Sequence, residues 1–354
     1  MPVLTRLIPS PLTVDIRAGA LDDLADLLSD QRVAPSGRLA FAISPRSGQA
    51  LRDRFAPALP GADWFADADG TIDGAVRLAD SIKSTGRYDA VVGLGGGKVI
   101  DSAKYAAARV GLPMVAVATN LANDGLCSPV STLDNDAGRG SYGVPNPIAI
   151  VIDLDVIREA PPRFVRAGIG DVTCKLSAVA DWELSHRETG EPIDGLAAAM
   201  ARSAGDSVLR HPGGIGDDDF LVILAEALVL CGIAMSVAGD SRPASGACHE
   251  ISHAFDLLYP KRCALHGEQC GIGGTFATFL RGDRETALLM AQVLRRHGLP
   301  VLADDIGFAD DEFVKAIEFA PQTRPGRYTI LEHLDLSTDQ IRDAYADYAK
   351  AIGS

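Results

Sequence analysis

The sequence predicts an α/β protein with a parallel sheet in its first half and helices alone in its second half. Short runs rich in Val, Ile and Ala alternate with helical segments up to Leu154, which is the pattern of a parallel sheet with both faces covered. Beyond Leu154 the strand signal stops, and helical segments broken by Gly and Pro continue to the C-terminus. The chain has 354 residues, enough for two domains, and we expect them at 1–160 and 161–354 with the boundary at Ala160-Pro161-Pro162.

The elements of the first half can be placed in order along the chain. Residues 4–17 are expected to form an edge hairpin, after which helices and strands alternate. The strands are predicted at Arg38–Ser44, Tyr88–Gly93, Pro113–Thr119 and Ala149–Leu154, and the helices at Ala20–Ser29, Gly48–Arg54, Thr71–Lys83 and Val99–Arg109.

Composition and charge narrow the possible classes of function. The formal net charge is -14 and the acidic residues are spread along the chain, so neither a nucleic-acid partner nor an anionic membrane surface is expected. The N-terminal residues contain no long apolar segment of the kind found in secretory signals, which predicts a cytoplasmic protein. The six cysteines are scattered and form no C-x-x-C pair, so we expect reduced thiols and no zinc site made of cysteines.

One segment is apolar enough to span a membrane. Phe220–Gly239 carries a single charged residue, Glu226, and is long enough to cross a bilayer. It lacks basic flanks, however, and acidic residues precede it. We therefore expect a helix buried on all sides within a domain, and no membrane insertion.

A glycine cluster follows the second predicted strand. Gly95–Gly97 precede Lys98 and a helical segment, and a strand–glycine–helix junction of this kind lets backbone N–H groups approach a diphosphate. The loop is not a Walker A motif, because Val92 and Val99 stand where that motif needs a Gly and a Ser or Thr. It predicts Rossmann-like nucleotide binding, and the alternative is a glycine turn that binds no ligand.

Three of the seven histidines occur close together. His249 and His253 are four residues apart, so on a helix they share one face, and His266 opens a His-Gly-Glu sequence after a loop. Imidazoles grouped in this way are candidate metal ligands. Residues 249–253 also match the H-E-x-x-H motif of zinc proteases, in which Glu250 would be the general base. The protease alternative, and that of buried histidines without a metal, stay open at this point.

Several segments resemble the glycerol-1-phosphate dehydrogenase family, which is grouped with dehydroquinate synthase, glycerol dehydrogenase and the iron-containing alcohol dehydrogenases. The resemblance covers residues 88–335 in order. It rests on GLGGGKVIDSAKYAA (93–107), ATNLANDGLCSP (118–129), RAGIGDVTCK (166–175), SRPASGACHEISHAFD (241–256), LHGEQCGIG (265–273) and RPGRYTIL (324–331). It implies a dehydroquinate synthase-like fold, in which an N-terminal Rossmann-like domain is followed by an all-helical metal-binding domain.

The resemblance also implies roles for individual residues. Asp171, in a glycine-flanked turn before a helix, would hold a metal with His249 and His266, and this donor set suits Zn²⁺, with Ni²⁺ or Fe²⁺ as alternatives. The catalytic and substrate-binding residues would be Asp124, Asp171 and His253. The cofactor would be bound by Gly95, Gly96, Gly97, Lys98, Val99 and Asp101 at its diphosphate, and by Thr119, Asn120, Leu121, Ala122 and Ser128 around its nicotinamide ribose.

The function implied by the resemblance is a metal-dependent oxidoreductase that interconverts dihydroxyacetone phosphate and glycerol 1-phosphate with NAD(H) or NADP(H), as a homodimer or larger homo-oligomer. The predicted strand Arg38–Ser44 ends without an acidic residue and is followed by Arg46, so we expect NADP(H) to be accepted. The alternatives are a dehydroquinate-synthase-like sugar-phosphate cyclase, a dehydrogenase of unphosphorylated polyols such as glycerol, and a nucleotide-binding module without catalysis.

Overall fold

The computed structural model describes residues 8–136, 138–262 and 264–353. These residues form two compact units. The first comprises 8–120, 125–157 and 235–239, and the second comprises 121–124, 158–234 and 240–353. The assignment of two domains at 1–160 and 161–354 stays a prediction.

The first unit is built on a parallel sheet of six strands. Its central strands are completely buried because helices cover them, and this burial accounts for their runs of Val, Ile and Ala. The strands of the chain are β1 (Thr13–Arg17), β2 (Leu39–Ala42), β3 (Ala62–Phe65), β4 (Ala90–Gly95), β5 (Met114–Ala118), β6 (Val130–Asn135), β7 (Gly138–Gly143) and β8 (Ala149–Asp153). The sheet order is β1-β8-β5-β4-β2-β3, and β6 and β7 form a separate antiparallel pair.

Helices connect the strands of this first unit. They are α1 (Leu24–Leu28), α2 (Gly48–Phe55), α3 (Ile72–Thr85) and α4 (Gly97–Val110), and α5 (Leu154–Glu159) follows the last strand. Thr71 fixes the start of α3, because its side chain accepts a hydrogen bond from the Gly74 N–H at 2.9 Å. In contrast, the residue that precedes α4 is Gly96, which has no side chain to cap the helix, so the first N–H groups of α4 are not covered by a side-chain cap.

The predicted parallel sheet is confirmed, and three of its details differ from expectation. The strand β3 was not predicted, because its four half-buried residues include an Asp and carry little strand signal. The β6–β7 pair was not predicted either, since β7 contains three glycines. At the N-terminus, β1 is an edge strand paired in parallel with β8. Residues 4–7 of the expected hairpin lie outside the described residues.

The second unit is helical throughout its described residues, as predicted. Its helices are α6 (Pro162–Thr173), α7 (Lys175–Thr189), α8 (Gly195–Leu209), α9 (Asp218–Ala238), α10 (Ala247–Leu258), α11 (His266–Leu280), α12 (Arg284–Arg296), α13 (Asp310–Phe319), α14 (Ile330–Leu334) and α15 (Thr338–Gly353). The last residues of α9 belong to the first unit.

The apolar segment predicted at Phe220–Gly239 forms α9. By length and composition alone this helix could cross a membrane, but 67% of its most apolar window is buried within the protein. A helix that is apolar on all sides and mostly covered by its own protein is a core helix, which is what the sequence predicted.

Glycines allow α6 and α11 to pack backbone against backbone. A Cβ on Gly170 would lie 2.1 Å from the Gly267 carbonyl oxygen, and one on Gly267 would lie 1.8 Å from the Ala167 carbonyl oxygen. Both distances are far inside van der Waals contact, so only glycine fits. The sequence analysis placed Asp171 in a turn before a helix. That expectation is wrong, because Asp171 lies inside α6 and its neighbouring glycines serve this helix contact.

Gly267→Ala is expected to destabilise the protein by about 1–3 kcal/mol or more, because the new methyl group overlaps a backbone atom that has little freedom to move. Urea-induced unfolding measures this change. Gly195→Ala is the matched control, since Gly195 also lies in the first turn of a helix and has open space around it. Equal free energies of unfolding for the two variants would contradict the close packing of α6 and α11.

Candidate metal centre and cofactor loop

Three side chains from α6, α10 and α11 converge within the second unit. The Nε2 atoms of His249 and His266 are 3.3 Å apart, and each lies 3.9 Å from Oδ1 of Asp171. Asp171 and His249 are buried, whereas His266 is half-buried. The structure thus brings together the three residues that the resemblance named as metal ligands.

The spacing of these atoms fits a divalent metal. Two nitrogen ligands at about 2.0–2.1 Å from a tetrahedral metal lie about 3.3 Å from each other. The two imidazoles match that separation, and Asp171 Oδ1 lies slightly farther out at 3.9 Å. One carboxylate and two imidazoles leave coordination positions for a substrate oxygen.

Hydrogen bonds fix the orientation and tautomer of His266. The Ser252 hydroxyl donates to Gln269 Oε1 at 2.7 Å, so its oxygen is left to accept from His266 Nδ1 at 3.1 Å. A proton on Nδ1 leaves the lone pair of Nε2 directed toward His249 and Asp171. An orienting hydrogen bond on the far nitrogen is a regular feature of histidines that ligate metals.

The electrostatic environment keeps His249 and Asp171 in the form that binds cations. Burial, followed by the charges of Lys175 and His266, lowers the pKa of His249 well below its ordinary value. Burial alone would raise the pKa of Asp171, but Lys175, His266 and the Asp124 N–H lower it below its ordinary value. A neutral imidazole and an ionised carboxylate are the protonation states that metal binding requires.

A buried lysine stands next to this cluster and was missed as a site residue. Lys175 Nζ lies 2.7 Å from Asp171 Oδ1 and 2.9 Å from Asp124 Oδ2, and the Asp124 N–H donates to Asp171 Oδ2 at 2.9 Å. The sequence analysis named Asp124 as a substrate contact, and the structure places it beside Asp171 within the second unit. The spacing of Asp171 and Lys175, one helical turn, was the signal available for this ion pair.

Cys270 is a second residue of the cluster that the sequence analysis did not name. Its Sγ is 3.5 Å from His266 Nε2 and 3.8 Å from His249 Nδ1. The potential ligand atoms of Cys270, Asp171, His249 and His266 all lie within 4.8 Å of one another. Cys270 follows His266 by one helical turn on α11, so the signal was again an i, i+4 spacing.

His253 lies next to the cluster and faces a different group. Its ring is 6.3 Å from that of His249 between centroids, and its Nδ1 accepts a hydrogen bond from Arg324 Nε at 3.4 Å. Glu250 is buried and hydrogen-bonded to the Thr329 hydroxyl, and burial raises the pKa of its carboxyl to about 9. A protonated, buried Glu250 is unsuited to be the general base of a zinc protease, so the geometry speaks against that alternative.

The glycine cluster lies where the sequence predicted it in the first unit. Gly95 ends β4, Gly96 precedes α4, and Gly97 begins that helix. A Cβ on Gly96 would lie 2.5 Å from Asn120 Nδ2, so this loop packs closely against the side chain of Asn120 in the segment after β5. Lys98 is exposed, with Nζ 3.6 Å from Asp134 Oδ2.

The other predicted cofactor residues lie on α4 and after β5. Val99 is buried, and Asp101 pairs with Lys104 at 3.0 Å. Ser128 is also buried, and its hydroxyl donates to the Val130 carbonyl oxygen at 3.2 Å. Thr119 and Asn120 belong to the first unit, Leu121 and Ala122 belong to the second, and Arg46 is exposed after β2. Their roles in cofactor binding stay predictions.

A parallel-sheet unit with a glycine loop, and a helical unit with a carboxylate–imidazole cluster, define the class of metal-dependent dehydrogenases to which the iron-containing alcohol dehydrogenases belong. A family model described as iron-containing alcohol dehydrogenase matches residues 15–161. The fold is also that of a solved structure of a probable glycerol dehydrogenase from Sinorhizobium meliloti, with a TM-score of 0.79, 24% identity, and coverage of 99% of both chains.

Curated relatives place the chain within this class. The glycerol-1-phosphate dehydrogenase [NAD(P)+] of Hyperthermus butylicus is 36% identical over 326 residues, covering 91% of this chain and 92% of that protein. The enzyme of the same name from Staphylothermus marinus is 36% identical over 335 residues, covering 93% of this chain and 94% of its own length. The chain belongs to the glycerol-1-phosphate dehydrogenase family.

Proposed function

We propose that this protein interconverts dihydroxyacetone phosphate and glycerol 1-phosphate with NAD(P)H at a metal centre held by Asp171, His249 and His266. The observation that carries the proposal is the convergence of these three side chains at 3.3–3.9 Å. The names of the relatives supply the substrate and the cofactor. In the reducing direction, the ketone, one NAD(P)H and one proton give the alcohol and NAD(P)⁺.

Bound groups would supply one part of the chemistry, and side chains of the protein would supply the other. A divalent metal would supply Lewis acidity toward the ketone oxygen, and nicotinamide would supply the hydride. Asp171 would bring the negative charge that the metal needs, while Lys175 neutralises the second carboxylate, Asp124. His253 carries its Nδ1 next to the Arg324 guanidinium and is the candidate to contact the substrate and hold a proton for the alcohol oxygen.

Zinc is the metal we propose, with nickel and iron as the alternatives. Carboxylate and imidazole donors suit all three ions. The Cys270 sulfur, 3.5 Å from His266 Nε2, adds a soft donor next to the cluster and favours zinc among them.

The proposed cofactor site comprises the loop residues Gly95–Asp101 and the segment Thr119–Ala122 with Ser128. The uncapped start of α4 supports it, because a helix N-terminus with free N–H groups attracts a diphosphate. The exposed Arg46 after β2, with no acidic residue at the end of that strand, supports acceptance of NADP(H).

The remaining proposals concern organisation and location. We propose two domains at 1–160 and 161–354, a homodimer or larger homo-oligomer, and a cytoplasmic location. The location is supported by the described cysteines, which are all free and buried, as in proteins of reducing compartments. Light scattering of the purified protein tests the oligomer.

The test of function is NADPH and NADH oxidation with dihydroxyacetone phosphate, using protein stripped of metal and then reloaded with Zn²⁺, Ni²⁺ or Fe²⁺. We expect turnover that requires metal, that is faster with the phosphorylated ketone than with dihydroxyacetone, and that consumes cofactor stoichiometrically. A large preference for NADH would contradict the NADP(H) proposal.

Other outcomes would identify the competing functions. Equal rates with and without the phosphate would indicate a dehydrogenase of unphosphorylated polyols. A tightly retained cofactor that is not consumed would indicate a cyclase. Tight NADPH binding without turnover of any ketone would indicate a nucleotide-binding module, and metal-dependent cleavage of casein would revive the protease alternative.

A further inference from the structure

Three arginines, Arg242, Arg324 and Arg327, lie close together in the second unit, and among the described residues only Arg242 forms an ion pair with a carboxylate. Arg242 donates from Nε to Glu191 Oε1 at 2.7 Å and forms an ion pair with the same carboxylate. Arg324 and Arg327 lie on the segment that precedes α14. Unlike Arg242, these two guanidinium groups form no ion pair with a carboxylate among the described residues.

The partners of Arg324 and Arg327 are all neutral. Both donate to the Ser241 hydroxyl, Arg324 at 3.2 Å and Arg327 at 3.0 Å. Arg327 also donates to the Ser245 carbonyl oxygen, and Arg324 donates to His253 Nδ1. Within residues 8–136, 138–262 and 264–353, no carboxylate forms an ion pair with either of them. The Ser241 hydroxyl therefore joins two cations and no anion.

Keeping two like charges together and partly buried is unfavourable. Burial, followed by repulsion from Arg324 and Arg242, lowers the pKa of Arg327 to about 10, and burial also lowers the pKa of Arg324. Both groups still carry their charge at neutral pH. Glu250 acts in the opposite direction on both pKa values and Asp240 on that of Arg327, but they offset the lowering only in part. A buried charge without an ion-paired carboxylate costs free energy that a bound anion would remove.

The position of the pair relative to the metal cluster suggests which anion it binds. His249 of the cluster is followed on α10 by His253, with ring centroids 6.3 Å apart, and His253 contacts Arg324 at 3.4 Å. Arg324 therefore contacts the histidine that follows the ligand His249 by one helical turn, and Arg327 shares the Ser241 hydroxyl with Arg324. A short substrate bound at the cluster would extend its other end toward them.

We propose that Arg324 and Arg327 bind the phosphate group of the substrate and make the enzyme selective for a phosphorylated ketone. This inference rests on the proposed function, which places the ketone oxygen at the Asp171–His249–His266 cluster. Guanidinium groups match the geometry of phosphate oxygens, and hydrogen bonds between two charged groups are stronger than those between neutral ones. Ser241 would hold both guanidinium groups in position, and Arg242 with Glu191 would support the segment without contacting the substrate.

The same chemistry fits a second source of phosphate, the 2′-phosphate of NADP(H). The two sources predict different kinetics. A subsite for substrate phosphate affects the ketone and leaves the KM for NADPH unchanged, whereas a subsite for cofactor phosphate affects NADPH and leaves NADH unchanged.

The test compares Arg327→Met, Arg324→Met and the charge-conserving Arg327→Lys with wild-type enzyme, all loaded with Zn²⁺. For the two Met variants we expect kcat/KM for dihydroxyacetone phosphate to fall on the order of 10²-fold, because a buried charge partner is lost. The kcat/KM for unphosphorylated dihydroxyacetone should fall much less than that for dihydroxyacetone phosphate, so the enzyme discriminates less between the two ketones. Arg327→Lys keeps the positive charge and should retain part of the discrimination between the two ketones. Arg202→Met is the matched control, since Arg202 is an exposed arginine of the same unit paired with Glu183.

Binding of inorganic phosphate, measured by calorimetry on the metal-loaded protein, separates this inference from the proposed function. We expect wild-type protein and Arg202→Met to bind phosphate and the Met variants to lose that binding, whether or not dihydroxyacetone phosphate is a substrate. Circular dichroism and metal content establish that each variant is folded and loaded. Three results would overturn the inference: unchanged phosphate binding in both Met variants, equal losses with both ketones, or a defect confined to NADPH. Absence of turnover in wild-type enzyme would instead count against the proposed function.

Discussion

Asp171→Asn is expected to lower kcat/KM for ketone reduction on the order of 10³-fold and to release most of the bound metal. Asparagine keeps the size of the side chain but removes the carboxylate that lies 3.9 Å from both His249 Nε2 and His266 Nε2. It also leaves the Lys175 charge with Asp124 as its remaining carboxylate partner, so that its repulsion of a metal cation is less compensated. Losing Lewis-acid stabilisation of the developing alkoxide removes several kcal/mol from catalysis.

Metal content by mass spectrometry and initial rates of NADPH oxidation measure both effects on the same preparation. Asp206→Asn is the matched control, because Asp206 is a helical aspartate of the same unit whose partner, Arg210, lies on the surface. Full metal occupancy together with wild-type rates in Asp171→Asn would remove Asp171 from the metal centre.

Lys175→Met is expected to destabilise metal-free protein by about 3–5 kcal/mol, because it removes the cation that lies between two buried carboxylates. Lys175 is fully buried, and its Nζ contacts Asp171 at 2.7 Å and Asp124 at 2.9 Å. A metal cation supplies positive charge to the same carboxylates. We therefore expect added Zn²⁺ to raise the free energy of unfolding more in Lys175→Met than in the wild type.

Lys104→Met serves as the control for this experiment. Lys104 is also fully buried, pairs with Asp101 at 3.0 Å and donates to the Gly125 carbonyl oxygen at 2.7 Å, but it belongs to the first unit. The Lys104→Met variant should lose a similar amount of stability, and added Zn²⁺ should raise its free energy of unfolding no more than that of the wild type. Equal Zn²⁺ responses in the two variants would show that Lys175 and the metal do not share the carboxylates. Urea-induced unfolding with and without Zn²⁺ provides the measurement.

The sequence was most informative where a single physical requirement governs a whole segment. The strands β4, β5 and β8 are buried on both faces, so every position except the last one of β8, Asp153, is apolar or small, and their predicted ranges overlap the observed ones. Strand β3 and the β6–β7 pair are only partly covered, so Asp and Gly are tolerated there and the signal disappears. Helical segments were placed well, because buried positions recur once per turn.

The candidate site was harder to predict, because its residues come from distant parts of the chain. His249 and His253 shared a helix face on spacing alone, but nothing local joins His249 to Asp171, and only the resemblance suggested that pairing. The close packing of α6 against α11, which brings Asp171 to His266, depends on glycines, and the sequence suggested that those next to Asp171 were part of a turn. Lys175 and Cys270 each follow a predicted ligand by one helical turn, so a search for i, i+4 partners would have found them. Arg324 has no such local signal.

The rate at which the buried thiols react with an alkylating reagent reports how often the surrounding helices open. Cys174 and Cys248 are fully buried next to the metal cluster, and burial raises the pKa of each thiol well above its ordinary value. Alkylating reagents react with exposed thiolates, so these two sulfurs are modified only while the surrounding helices are transiently open. Cys127 is buried in the first unit, and its rate of modification would report the opening of that unit separately. Alkylation rates can be measured by mass spectrometry of the peptides that contain these cysteines. A comparison of the rates would show which of the two units opens more often.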